Sequence, residues 1–450
     1  MKIGLVSLGC PKNLVDSETM LGLIHEQQIT ITNDPAEADL IIINTCGFIE
    51  SAKEESINTI LQMGEYKTTG TCKYLIITGC LGQRYAEELL ENIPEADAVI
   101  GTECYEDIAY VIQRVTHGER FIMLESLKKA ELAPIPAPRI LTTPDYMAYL
   151  KIAEGCDNCC SYCIIPKLRG PYVSKPFEQV LGEAKALVDK GVKELIVVAQ
   201  DTTRYGEDLY GKLRLPELLS ELNKLEGLKW IRVMYCYPNN FTDDLIEAFA
   251  SLDKVCKYVD LPLQHASDRL LSSMNRYDTK SEVEALLNKL RQRIPGITIR
   301  TTFIVGFPGE TEADYLTEVQ NLYDSGYKFI VAPGYKLETA IYKAQNKYKD
   351  AQFVIIDGEP MDENGNYVVG ENTVAIHFAE EEGGFVAGVA AAVQLQSGDL
   401  GFIGGMELPV VKKFNYGFQQ GVAYANEKFG TSISLKEEIW FTQVHSLIQL

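Results

Sequence analysis

The chain has 450 residues, 46% of them hydrophobic, which allows two to four domains with sizeable cores and excludes global disorder. A net charge of −21 makes it a poor general binder of phosphate backbones and a better match for a basic protein partner. Eleven cysteines at metal-type spacings in so long a chain exclude a small disulfide scaffold and fit a reducing, cytoplasmic setting.

No apolar run reaches the ~18 residues that a bilayer span requires. The opening MKIGLVSLGC ends in Cys10 as a lipoprotein cleavage box would. Its apolar stretch is shorter than the ~7–15-residue core of a signal peptide, so no membrane association is expected.

Residues 1–127 alternate strand and helix signals. Strands are expected at Ile3–Ser7, Asp39–Asn44, Tyr74–Thr78 and Ala98–Ile100. Helices are expected at Asp16–Glu26, Ala52–Met63, Arg84–Asn92 and Tyr105–Val115. Such alternation predicts an α/β fold with a doubly wound, mostly parallel sheet. Cys10, Cys46 and Cys80 each follow a strand, at intervals of 36 and 34 residues. The carboxyl ends of the strands share one edge of such a sheet, so these three should meet there. A three-thiolate cluster site is one reading and three unrelated buried thiols the other. Cys72, Cys104, Cys236 and Cys256 lack this regularity and read as structural.

GCPKNLVDSE (Gly9–Glu18), NTCGFIESAKEES (Asn44–Ser56) and TGCLGQRY (Thr78–Tyr85) resemble the amino-terminal domain of the methylthiotransferases. They are most similar to the branch that modifies an aspartate of ribosomal small-subunit protein twelve. The tRNA-modifying branch typically reads GCQMN-like at the first cysteine, where this chain has Pro11, Lys12 and Asn13.

Residues 128–144 are charged and proline-rich and read as a linker. Residues 145–329 then show six strand signals separated by helical patterns. These are Ala148–Ala153, Glu194–Gln200, Trp230–Tyr235, Tyr258–Leu263, Thr298–Val305 and Lys328–Val331. A partial (βα)6 barrel is expected, with its site at the carboxyl ends of the strands.

Just after the first of these strands, Cys156, Cys160 and Cys163 form C-x3-C-x2-C. Three thiolates can hold three irons of a 4Fe–4S cubane and leave the fourth iron open for chemistry. A zinc knuckle is the alternative, but zinc wants a fourth ligand, and Cys159 is adjacent to Cys160. The spacing resembles the signature of the radical S-adenosylmethionine (SAM) enzymes, in which SAM chelates the open iron. AQDTTRYGEDLYG, LPLQHASD and RTTFIVGFPGETE extend the methylthiotransferase resemblance, and IVGFPGE is similar to the strand that contacts the SAM adenine. His265 reads as a hydrogen-bonding residue rather than a base.

The resemblance ends at about residue 328, short of the expected sixth strand and small substrate-binding β-barrel. Residues 330–430 instead resemble the basic-membrane-lipoprotein family, which includes purine-nucleoside receptors. APGYKLETAI, KDAQFVIIDG, HFAEEEGGFVAGVAAA and GFIGGMELPVVKKFNYGFQQG carry this likeness. Residues 330–450 are thus expected to be an incomplete α/β binding-protein-like segment. All 13 arginines precede residue 331, which supports a junction, whether a fused gene or a mis-joined gene model.

The resemblance implies an enzyme with two 4Fe–4S clusters and SAM as cofactors. Cys156, Cys160 and Cys163 would hold the SAM-cleaving cluster, and Cys10, Cys46 and Cys80 an auxiliary cluster on the sulfur-donor side. Gln200, Asp201, Gln264, Ile304, Gly306 and Glu310 are the candidates for SAM contacts. The implied partners are protein twelve as a basic substrate and an external one-electron donor, with nucleic acid met only through the ribosome. A tRNA methylthiotransferase and a non-catalytic nucleoside-binding chimera are the competing readings.

Overall fold

The computed structural model describes residues 1–126, 138–324, 326–334, 337–404, 409–436 and 439–440. The chain divides into two units, Met1–Glu310 and Thr311–Leu450.

The first unit begins with six parallel strands: β1 (Lys2–Ser7), β2 (Thr30–Ile31), β3 (Leu40–Thr45), β4 (Tyr74–Gly79), β5 (Ala98–Ile100) and β6 (Phe121–Met123). They form one sheet in the order β2-β1-β3-β4-β5-β6. The β3 sequence LIIINT is buried at every position, as a strand covered on both faces requires. Alternate side chains serve opposite faces. Ile3, Leu40, Ile42 and Ile76 pack with the helices Pro11–Glu26 and Ile108–Thr116. Ile41, Ile43, Leu75 and Ile77 pack with the helices Glu50–Gly64 and Ala86–Asn92. Each fully buried isoleucine contributes roughly 1.5–3 kcal/mol. The doubly wound sheet expected from the sequence is therefore present; β2 and β6 were too short to leave a periodic signal.

The second sheet holds β7 (Met147–Lys151), β10 (Glu194–Val198), β11 (Trp230–Val233), β12 (Val255–Asp260) and β13 (Thr298–Arg300), all parallel and in chain order. Between β7 and β10 a small antiparallel pair forms from β8 (Ala153–Glu154) and β9 (Val173–Ser174). Residues 138–143, from the expected linker, lie along the helix Pro11–Glu26. A Cβ on Gly22 would stand 2.2 Å from the Pro138 carbonyl oxygen. Part of that linker, residues 128–137, lies outside the described residues.

The second unit contains β14 (Phe329–Pro333), β15 (Gln352–Ile356) and β16 (Thr373–Ile376) in one parallel sheet. The expectation that Lys328–Val331 supplies a sixth barrel strand is thereby corrected. The segment pairs with β15 over five residues, from Phe329↔Gln352 to Pro333↔Ile356. Its inward Ile330 and Ala332 pack with Val319, Ile341 and Phe353. Further along are β17 (Ser397–Leu400), β18 (Ile403–Gly404), β19 (Ser432–Leu435) and β20 (Ile439–Trp440), with β17 pairing β19 and β18 pairing β20 in parallel. The helices Glu380–Leu395, before β17, and Pro409–Lys428, between β18 and β19, pack closely. Among the described residues, every strand pair of this unit is parallel, unlike a small antiparallel β-barrel. No helix among them is long and apolar enough to cross a membrane.

Candidate functional site

Both cysteine sets lie in the first unit, at the carboxyl ends of parallel strands. In the first sheet the chain reverses direction between β1 and β3, the switch point where open α/β sheets bind ligands. Cys10 follows β1 and caps the helix Pro11–Glu26 with extended backbone, φ −90° and ψ 167°. That helix starts with Pro11, has no acidic residue in its first turn and receives no side-chain cap. A thiolate at Cys10 would sit at the positive end of its dipole.

Two asparagines bind the first two cysteine turns together. Asn13 donates to the Thr45 and Leu8 carbonyls at 2.8 and 3.1 Å. Asn44 donates to the Asn13 carbonyl and the Ser17 hydroxyl, both at 2.9 Å. Close approach here demands glycine: a Cβ on Gly9, at φ +87°, would stand 2.8 Å from the Cys46 Cβ. Ser56 holds Cys46 from the other side, accepting from its N–H at 3.0 Å and donating to its carbonyl at 2.9 Å. Cys80 opens the helix Cys80–Arg84 and is buried. Burial pushes its thiol pKa up, the Arg169 guanidinium beside it pulls it down, and ionised Cys10 and Cys46 raise it again. The three thiols are thus near enough to feel each other's charge.

The second set occupies the loop between β8 and β9. Their pairing, Ala153↔Ser174 and Glu154↔Val173, closes the base of the loop. The Cys156 N–H donates to the Gly170 carbonyl at 3.2 Å, and the Tyr172 N–H to Asp157 at 2.9 Å. Ser161 fastens the middle, its N–H and hydroxyl donating to the Met274 and Ser273 carbonyls at 2.9 and 3.0 Å. Asn275 reaches the Cys159 carbonyl at 2.6 Å. Burial pushes the Cys156 thiol up to about 11, and the charges of Asp201, Cys163 and Cys160 add to the effect. Cys159 is exposed.

All six thiols are free. Among the described residues no three His, Cys, Asp or Glu side chains converge on a single metal ion. A cubane asks for a different arrangement, because each thiolate takes its own iron corner and the sulfurs stand apart. Three free thiols on a clasped loop, and three more on adjoining strand ends, fit that donor chemistry better than a zinc knuckle.

The two sets are joined by buried charge. Arg169, six residues after Cys163, donates to Asp16 and Glu154 at 3.0 Å each and also to Asn13. Lys151 donates to Glu154 at 2.8 Å and also pairs with Asp16. Burial opposes the charge on both cations, but Asp16 and Glu154 keep them protonated. A second contact runs from Arg139 to Glu18 at 2.8 Å and to Glu183 at 2.9 Å. Thr102 donates to the Leu168 carbonyl at 2.8 Å. Apart from the contacts to Glu154, these partners are separated by 44 to 156 residues, which leaves no local pattern.

The SAM-contact candidates divide. Gln200 donates to Glu154, and its Oε1 is buried without a hydrogen-bond partner, an acceptor suited to a polar ligand. Asp201 is 1% exposed and fully engaged with Thr203 and Asn158, at 2.6 and 2.9 Å, so it supports the cysteine loop instead. Gln264 adopts φ +69° and bridges in register to Phe303, with its carbonyl accepting from Ile304 N–H at 2.8 Å. Glu310 braces the Gly306–Gly309 turn by accepting from the Phe307 N–H at 3.1 Å. Its other oxygen lies 3.3 Å from His265 Nε2. Because the Ser267 N–H donates to His265 Nδ1 at 3.0 Å, the proton belongs on Nε2, as expected of a hydrogen-bonding histidine.

Residues 2–101 match a family described as uncharacterized protein family UPF0004, and residues 150–320 match the radical SAM superfamily. Residues 268–439 match a family described as ABC transporter substrate-binding protein PnrA-like. The chain is 55% identical over 325 residues to the ribosomal protein uS12 methylthiotransferase RimO of Desulforamulus reducens, covering 71% of this chain and 73% of the relative. It is 53% identical to the protein of the same name from Clostridioides difficile, over 70% of each chain. Among solved structures, the radical SAM methyltransferase TsrM of Kitasatospora setae superposes with a TM-score of 0.53 at 14% identity, covering 73% of this chain and 74% of that one. That likeness concerns the fold alone.

Proposed function

The chain belongs to the ribosomal protein uS12 methylthiotransferase family, and from that premise we propose that it adds a methylthio group to the β-carbon of an aspartate in uS12. It is a transferase of the radical SAM type, and its family implies SAM and a 4Fe–4S cluster.

Cys156, Cys160 and Cys163 would hold the SAM-cleaving cluster, and Cys10, Cys46 and Cys80 a second one. When bound and reduced by an external one-electron donor, these groups supply a carbon-centred radical for hydrogen abstraction and a site for the sulfur donor. An unactivated β-carbon has no proton acidic enough for ordinary base catalysis, so hydrogen-atom abstraction suits the substrate.

The remaining work falls to side chains. Gln200 offers its unpartnered Oε1 to the SAM side. Glu310 sets the Gly306–Gly309 turn, and Asp201 steadies the cysteine loop through Asn158. Arg169 lies against Cys80 while its other bonds reach Asp16 and Glu154, which keeps the two cysteine sets in one frame. The observation that carries the reading is this pairing of two three-thiol sets through one buried guanidinium.

The test is anaerobic reconstitution with iron and sulfide, followed by incubation with SAM, dithionite and either a uS12 peptide or tRNA. A methylthio mass gain on the peptide is expected. A gain on tRNA alone would replace this reading with the tRNA-modifying one.

A further inference from the structure

Lys12 is an anomaly in the first unit. It is 7% exposed, yet among the described residues its ammonium forms no ion pair and no hydrogen bond. It lies over the Tyr235 ring, whose centroid is 3.5 Å from Nζ. A buried ammonium left this way is costly, and a ring face offsets only part of that cost.

The nearby carboxylates are already engaged. Asp260 accepts from the Tyr235 N–H at 3.1 Å and pairs with Arg300 at 3.4 Å. Glu154 is held by Lys151, Arg169 and Gln200. Cys10 and Arg169 complete the charged groups around the ammonium.

The position is telling. Lys12 lies two residues after Cys10, in the first turn of a helix whose leading N–H groups no side chain caps. Tyr235 follows β11 at the carboxyl edge of the second sheet and adopts φ +60°, a conformation that costs energy in a non-glycine residue. The cation therefore stands where the two strand edges that carry the cysteine sets face each other, paired with no carboxylate among the described residues.

We propose that the Lys12 ammonium receives the side-chain carboxylate of the substrate aspartate, which orients its β-carbon between the two cysteine sets. The inference rests on the functional reading above and deepens it by naming the group that selects an acidic side chain. An ammonium–carboxylate pair shielded from water is both strong and selective against the neutral amide of the same shape. Lys12 is a specificity residue: it touches the substrate carboxylate, not the carbon that reacts.

The test uses the reconstituted holoenzyme and two fluorescein-labelled uS12 peptides, one with the target aspartate and one with asparagine there. Anisotropy titrations should show the wild type preferring the aspartate peptide by about 10- to 100-fold, the range for a hydrogen bond to a charged group. Lys12→Gln should erase that preference and Lys12→Arg should keep much of it, with iron content like that of the wild type in both. A wild type with no preference overturns the proposal without recourse to any variant. So does Lys12→Gln that keeps the preference, or one that fails to load iron, which would assign Lys12 to the cysteine site instead. A wild-type holoenzyme that adds no methylthio group to the peptide defeats the functional reading, whereas one that modifies the peptide regardless of Lys12 defeats only this inference.

Discussion

Arg169 Nη1 lies 3.0 Å from Asp16 Oδ2, with both side chains almost wholly buried, and so joins the loop of one cysteine set to the first helix of the other. Burying charge is costly, and removing one partner leaves the other stranded. Arg169→Met should therefore destabilise the protein by about 3 kcal/mol or more, read as a lower midpoint in chemical denaturation. Asp16→Asn should cost less in that background than in the wild type, because one of the two cations that Asp16 holds is already gone while Lys151 keeps its contact. Full additivity of the two changes would contradict the pairing.

The two cysteine sets should separate by function. Cys156→Ala should abolish formation of 5′-deoxyadenosine from SAM and remove about four of roughly eight irons. Cys10→Ala should lose a similar amount of iron yet still cleave SAM, with no methylthio product. Anaerobic iron assays and chromatography of the nucleoside product distinguish the cases. If Cys10→Ala also ends SAM cleavage, the division of labour is wrong.

Much of this site was legible in the sequence because its cysteines follow strands at a repeat-like interval, and strand ends share an edge in a parallel sheet. C-x3-C-x2-C carries its chemistry in spacing alone. The ion-pair network was not legible. Arg139 meets Glu18 from 121 residues away and Arg169 meets Asn13 from 156, and periodicity reports only on chain neighbours. The hydrogen bonds of Asp201 were not legible either, because a position at a strand end does not say which way a carboxylate turns. The sixth barrel strand failed for another reason. An apolar β-rich segment does not say which strand it will pair with, and here the partner is Gln352–Ile356, over five residues.

Gly22→Ala should invert the usual helix rule. Alanine ordinarily stabilises a helix interior by about 1 kcal/mol relative to glycine. Here the added Cβ would stand 2.2 Å from the Pro138 carbonyl oxygen, and backbone cannot yield as a flexible side chain can. A lower melting temperature than wild type is expected; an increase would mean that residues 138–140 are free to retreat.

Stability should fall with acid through Glu183. Burial raises its pKa, but Lys175 at 3.0 Å and Arg139 at 2.9 Å outweigh that and hold it below the usual carboxylate range. Its contribution is therefore fully present above the unfolded value of about 4.3 and is lost as pH falls towards the lower folded value. Glu183→Gln should be less stable than wild type at pH 7, and the gap should shrink below about pH 4. A gap that stays constant across this range would rule out the ionic contribution.

The downstream unit bears on substrate docking. Its parallel strands fit the α/β segment expected there and differ from the small β-barrel that the family resemblance implies in that place. The uS12 peptide should consequently bind more weakly than to the Desulforamulus reducens relative, while SAM cleavage proceeds. Parallel titrations of the two holoenzymes measure the difference; equal affinities would show that docking does not depend on that segment.

The clasp of β8 and β9, with the Asp16, Arg169 and Glu154 contacts beside it, closes within residues 13–200. With the fastenings from Ser273, Met274 and Asn275, the spacing between the two cysteine sets is thus written within the first unit. Evolution can exchange whatever follows, trading one recognition module for another, without recalibrating the distance across which the chemistry must act.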